Sequence, residues 1–238
     1  CIVFDVEGDF AHFRKPETTS PAQSFGIPPR TTIAGMTAAI LGLGRDTYYD
    51  RFQRDNSRVA VSVLNPIRRQ QFAINILTTE GSASKTKGAH PGRHVTGPRQ
   101  QNVFETLCDP AYRFYVSLDD TETMDALEQT LDAGRSHYTL SLGLSEHIAT
   151  TSYRGRHPIE WETGETEINS AIPGSEIGLV PEPRANYVTE RVPGFMQATD
   201  DGRQSTGYQT VTYERSGDPL KIRDMEYARV GGETVVFG

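Results

Sequence analysis

The chain has 238 residues, 36% hydrophobic and 23% charged, with a net charge of −7. That composition, with 22 Gly and 14 Pro, supports a globular, somewhat loop-rich core and excludes a disordered class. No apolar run approaches the ~20 residues of a membrane-spanning helix, and Cys1 and Cys108 make neither a CxxC pair nor a disulfide framework. No membrane partner and a cytoplasmic location are therefore expected.

Ile2, Phe4 and Val6 alternate with Val3 and Asp5, which predicts a first strand. The polar stretch from Gly8 to Gly26 reads as a loop. Pro28-Pro29-Arg30-Thr31 then predicts a helix start capped by Thr31 or Thr32. Ile33, Met36, Ile40 and Leu41 fall on one face of that helix, and Gly42 and Gly44 end it. Val59, Val61 and Val63 predict a second strand, and Phe72, Ile74 and Ile76 a third. A long Gly-, Ser-, Thr- and Pro-rich segment follows, longer than the connections of a compact domain and so expected to be functional or mobile. Tyr112, Phe114, Val116 and Leu118 mark a fourth strand. Thr121 is expected to cap a second helix with Met124, Leu127 and Leu131 inward and Gly134 at its end, before a strand near Tyr138 to Leu142.

This order predicts an α+β, ferredoxin-like βαββαβ core, provided that one middle strand belongs to a hairpin insertion. Beyond Gly143, short alternating pieces near Ala185 to Val192, Tyr208 to Arg215 and Thr234 to Phe237 predict a β-rich extension. The expected division is a domain over 1–150, with an insertion at about 80–104, and a C-terminal extension over 151–238.

Charge is unevenly placed. Of 24 basic residues only Lys15, Lys85, Lys87 and Lys221 are lysines. An acidic, lysine-poor chain suits a high-salt cytoplasm, so a halophilic source is expected. Counterion release adds little to nucleic-acid affinity at high salt. Arginine forks, stacking and backbone hydrogen bonds tolerate it better. From Gly81 to Phe104 there is no acid, but there are Lys85, Lys87, Arg93 and Arg99 with His90 and His94; Arg51, Arg54, Arg58, Arg68 and Arg69 form a second basic stretch. Two such runs on an acidic chain point to a polyanion.

Chemical motifs are sparse. His90 and His94 are half of a metal site, but Pro91 and Gly92 deny them a helix and no acid or cysteine stands nearby, so no metal or cofactor is expected. There is no GxSxG elbow, and Gly231-Gly232 lacks the GK[ST] of a phosphate loop. A metal-independent endoribonuclease assembled from His12, Lys87, His90 and several tyrosines stays open as the alternative, since RNA cleavage needs only a base and an acid or cation. Tyr112-Arg113-Phe114-Tyr115-Val116 suits either bases stacked on a sheet or a packed core.

The run Gly8-Asp9-Phe10-Ala11-His12-Phe13-Arg14-Lys15-Pro16, with Thr19-Ser20-Pro21, Pro28-Pro29-Arg30-Thr31 and Gly35, resembles the N-terminal signature of the Cas-five family. These are RAMP-superfamily subunits of type I CRISPR effector complexes (Cascade). Asp109-Pro110-Ala111-Tyr112-Arg113-Phe114-Tyr115-Val116 and Leu142-Gly143-Leu144-Ser145-Glu146 extend the likeness, most like subtype I-B and a haloarchaeal source. The resemblance implies a non-catalytic RNA-binding subunit for antiviral defence, which caps the 5′ handle of the CRISPR guide RNA. Its thumb, at the acid-free insertion, would lie beside a backbone RAMP subunit. It would also touch the large subunit of the complex, and so target DNA indirectly. Arg30 and Thr31, at a helix start, suit a handle phosphate. His12, Arg14, Lys15, Lys85, Lys87, His90, Arg93 and Arg99 complete the expected RNA-binding set.

Overall fold

The computed structural model describes residues 1–77, 99–174, 178–200 and 202–238. It opens with β1 (Ile2–Glu7), buried from Ile2 to Val6 because something covers each of its faces. Three two-residue strands, β2 (Phe10–Ala11), β3 (Phe13–Arg14) and β4 (Ser24–Phe25), lie in the stretch expected to be loop. Helix α1 (Arg30–Leu41) starts without help from Thr31 or Thr32: Pro29 holds the N-cap position and no side chain caps it. Gly42 ends the helix as expected, in the left-handed conformation at φ 73°.

After a 3-10 turn (Tyr49–Phe52) come β5 (Ser57–Val63), β6 (Arg68–Leu77) and β7 (Arg99–Cys108). β6 and β7 form an antiparallel hairpin, with Arg68 opposite Cys108. β2 adds to the other side of β7, so the hairpin belongs to a small sheet of its own. β7 was not expected as a strand, since Arg-Gln-Gln-Asn at its start gives no apolar alternation. Lys85, Lys87, His90 and Arg93 lie outside the described residues.

β8 (Ala111–Leu118), α2 (Thr121–Asp132) and β9 (Thr150–Arg156) follow. The main sheet has the order β5-β8-β1-β9, every neighbour antiparallel. α1 falls between β1 and β5, and α2 between β8 and β9. Asp120, rather than Thr121, caps α2 by accepting from the Thr123 amide at 3.3 Å. The strand expected at Tyr138 to Leu142 is absent. That segment hangs instead from the end of α1, where the amides of His137 and Tyr138 donate to the carbonyls of Ile40 and Ala39. The strand forms later, as β9, whose Thr-Thr-Ser-Tyr-Arg-Gly-Arg sequence suits a half-exposed edge and carries no apolar signal.

The remaining strands are β10 (Glu160–Ile168), β11 (Ile172–Pro173), β12 (Tyr187–Thr199), β13 (Gly202–Glu214), β14 (Leu220–Val230) and β15 (Glu233–Val235). They make sheets β10-β14-β15 and β11-β13-β12. Where short pieces were expected, β12 and β13 are 13 residues each and pair along a long hairpin.

Period-two alternation sorts the main sheet into two buried faces. Ile2, Phe4, Val61, Phe114 and Val116 meet Ile33, Met36 and Ile40 of α1 and Met124, Leu127 and Leu131 of α2. On the opposite face Val3, Ala60 and Tyr115 meet Ala228, Val230 and Val235 of β14 and β15. Tyr112, Phe114 and Tyr115 are thus all core, and the sheet has no open platform for bases. Asp5 and Arg113, paired across β1 and β8, make a two-pronged bridge at 2.7 and 3.0 Å, and Arg154 adds a third bond at 2.7 Å.

Candidate nucleic-acid interface

The N-terminal loop is held against the base of the β6–β7 hairpin. Phe10 and Ala11 pair with Cys108 and Leu107. Ala22 donates to Val103, Glu105 donates back to Ala22, and the Glu105 carboxylate accepts from the Ser24 amide. His12 is buried there. Its Nδ1 lies 2.7 Å from the Glu105 carbonyl, its ring stands edge-on to Phe104, and its Nε2 has no hydrogen-bond partner among the described residues. Arg14 is exposed and in no ion pair among the described residues. Lys15 turns inward, with Nζ 2.8 Å from Glu190 on β12. Arg99 opens β7, and its side chain lies outside the described set.

Glu190 is a buried hub. It accepts from the Gly26 amide and the Tyr213 hydroxyl at 2.8 Å each, and Arg69 of β6 approaches at 3.5 Å. Burial alone would raise its carboxyl, yet the bonds from Lys15, Gly26 and Tyr213 hold it below the usual carboxylate range.

Arg30 and Thr31 part company. Arg30 is 4% exposed and points into the molecule. Its guanidinium donates to Ser57 Oγ at 2.7 Å and to the carbonyls of Phe52 and Ser57, and lies 5.0 Å from the Phe195 ring. Burial, then repulsion from Arg54 and Arg58, pulls it down to about 10, still cationic at neutral pH. It pins the helix start to the 3-10 turn and β5, and does not face solvent as a phosphate contact requires. Thr31 instead lines an open groove of ≈ 370 Å³ along α1 with Thr32, Gly35, Tyr48, Ser141 and Arg203. α1 has no acid in its first turn and no capping side chain; the Thr32 and Ile33 amides donate to the Pro29 carbonyl, and no side chain caps the amides of Arg30 and Thr31. Gly143 joins the groove to the N-terminal loop: the His12 amide donates to Leu142, and the His12 carbonyl packs against Gly143.

The basic stretch 51–69 divides. Arg51 pairs with Asp120, Arg68 with Asp109, and Arg69 with Glu105 and Glu190. Arg54 and Arg58 have no carboxylate partner among the described residues. Only tertiary pairing separates spent arginines from available ones, so sequence pattern did not single these two out, nor Arg203. No cluster of three metal-ligating side chains occurs among the described residues, and no helix among them is long and apolar enough to cross a membrane.

Fold and site define an α+β protein with a sheet buried on both faces, a hairpin docked on its N-terminal loop, and a hydroxyl-rich groove at an uncapped helix start. Residues 1–216 match the family described as CRISPR-associated protein (Cas_Cas5), and the chain belongs to that family. Its place is in CRISPR defence. A chain of a "CRISPR RNA-guided surveillance complex" is similar at TM-score 0.52 and 14% identity, over 93% of this chain and 90% of that one. A CRISPR protein from Archaeoglobus fulgidus is similar at TM-score 0.52 and 15% identity, over 100% of this chain and 99% of that one. No curated protein matches the chain.

Proposed function

We propose that this chain is a non-catalytic, RNA-binding subunit that holds the 5′ handle of CRISPR RNA in a type I effector complex. Its core is read as ferredoxin-like: the order β5-β8-β1-β9, with one helix after β1 and one after β8, supports that topology. The observation that carries the reading is the uncapped start of α1, opening on a groove with hydroxyls and Arg203, beside an N-terminal loop that bears the family signature. Backbone amides and hydroxyls at a helix start bind phosphate without requiring a basic surface, which suits a chain of net charge −7. The similar surveillance-complex chain supports assembly with partner subunits. Those expected are a backbone RAMP subunit beside the hairpin and the large subunit, with subtype I-B and a haloarchaeal source as the finer assignment.

Two measurements test the reading. RNA co-purified with the assembled complex, sequenced from its 5′ end, is expected to begin with one constant repeat-derived handle. Repeat RNA incubated with the purified chain and a chelator is expected to stay intact. Specific cleavage in the second assay would establish the endoribonuclease alternative instead.

A further inference from the structure

A second concavity, of ≈ 550 Å³, lies where the segment leading into β5 meets β10 and β13. Its walls include two of the most exposed large aromatic side chains among the described residues, Trp161 (49%) and Tyr208 (45%). Neither ring is spent on the core: Trp161 leans on Phe237 at 5.8 Å, and Tyr208 carries the Arg191 guanidinium over its face at 4.9 Å. Arg54 and Arg58 line the same cleft, both exposed. Arg51, Arg154, Arg156 and Arg229 are held by carboxylates, but Arg54, Arg58 and Arg191 are in no ion pair among the described residues. Burial, and then repulsion from Arg54 and Arg58, holds Arg30 below the usual guanidinium range.

Asp55 and Glu226 also line the cleft, so it is no simple basic patch. A cleft with stacking rings, guanidiniums that no carboxylate neutralises among the described residues, and isolated carboxylates fits a nucleotide better than a bare polyanion. Rings take the base, arginines the phosphate, and a carboxylate accepts from an exocyclic amino group. Gln209, in the same wall, has an Oε1 without a hydrogen-bond partner among the described residues. The volume suits one or two nucleotides.

We propose that this cleft seats one or two unpaired nucleotides of a single strand, with bases stacked on Trp161 and Tyr208 and the backbone phosphate held by Arg54 and Arg58. The proposal rests on the RNA-binding reading and adds a second contact surface, apart from the groove at α1. Stacking and guanidinium forks outlast salt that removes the counterion-release contribution.

Trp161 is the only tryptophan of the chain, so its emission reports on this cleft alone. The full chain is titrated with six-nucleotide RNA and DNA oligomers at high salt, and binding is followed in parallel by oligomer anisotropy. Saturable quenching of Trp161 that tracks the anisotropy is expected. Tyr208→Ala, and Arg54→Ala with Arg58→Ala, should each weaken it roughly tenfold, about one stacked base or its phosphate contact. RNA quenching more tightly than DNA assigns the cleft to an RNA strand, and the reverse to a DNA strand. Oligomer binding with unchanged Trp161 emission and wild-type affinity in both variants overturns the cleft and leaves the RNA-binding reading standing. No binding of any oligomer, together with a complex free of RNA, overturns both. Quenching by peptides but not by oligomers overturns the cleft as a nucleotide site.

Discussion

At the scale of single residues, Glu190 shows how an acidic protein spends its charge. Its carboxylate gathers Lys15 from the N-terminal loop, Arg69 from the hairpin base and Tyr213 from β13, so three segments far apart in sequence meet on one side chain. Glu190→Gln keeps the shape and removes the charge. It should cost about 2 kcal/mol of stability at neutral pH, the loss of charge-assisted hydrogen bonds to a buried acceptor. A carboxyl held below its unfolded value contributes stability above that value and loses it as pH falls through the folded one. The gap between wild type and Glu190→Gln, measured by urea unfolding, should therefore be full at neutral pH and close in acid. A gap unchanged down to acid pH would remove Glu190 from this role. Lys15 and Arg30, both expected to hold RNA, are recruited inward by such carboxylate and carbonyl partners.

Among the elements, the connection after α2 matters most to the proposed site. Residues 139–143 bridge the end of α1 and the N-terminal loop, and Gly143 sits at φ 99° with the His12 carbonyl in the place a Cβ would take. Gly143→Ala combines a strained backbone with a backbone clash and should cost at least about 2 kcal/mol. It should also displace the N-terminal loop, so RNA retention by the assembled complex falls with it. A stable variant with normal RNA content would show that the loop and the groove are not coupled. β7 and β9 went unseen in the sequence for one reason. β9 is the edge of the main sheet, and β7 is flanked by β6 alone except where β2 pairs with Leu107 and Cys108 and Ala22 bonds to Val103 and Glu105. Hydroxyl, amide and charged side chains therefore fill positions that a fully enclosed strand gives to valine or phenylalanine. β1, β5 and β8 and the inward faces of both helices, by contrast, could be read from apolar periodicity alone.

Across the whole molecule, the C-terminal strands close a face that a simple four-stranded sheet would leave open. β14 and β15 lay Ala228, Val230 and Val235 on Val3, Ala60 and Tyr115. The same main core takes in Ala171, Val192, Val211 and Tyr213 from beyond residue 156. On the proposed RNA-binding reading, nucleic-acid contact would then fall to grooves and loops at the sheet's edges. A net charge of −7 also imposes self-repulsion on the compact state. Raising potassium chloride from about 0.1 M to about 1 M shortens the screening length about threefold. If the source is halophilic, the thermal midpoint should then rise by about 5 °C or more. A midpoint independent of salt would set that assignment aside.

Sequence by itself determined the central strands, the two helices and their inward faces, because apolar spacing follows directly from backbone geometry and needs no knowledge of neighbours. It also determined the family signature in the N-terminal loop. Tertiary structure alone decided which charges stay available. Arg30, Lys15 and Arg69 are consumed by partners 22 to 208 positions away, whereas Thr31, Arg54, Arg58 and Arg203 remain at open grooves. An ion pair or buried hydrogen bond depends on where distant segments converge, and local pattern holds no record of that convergence.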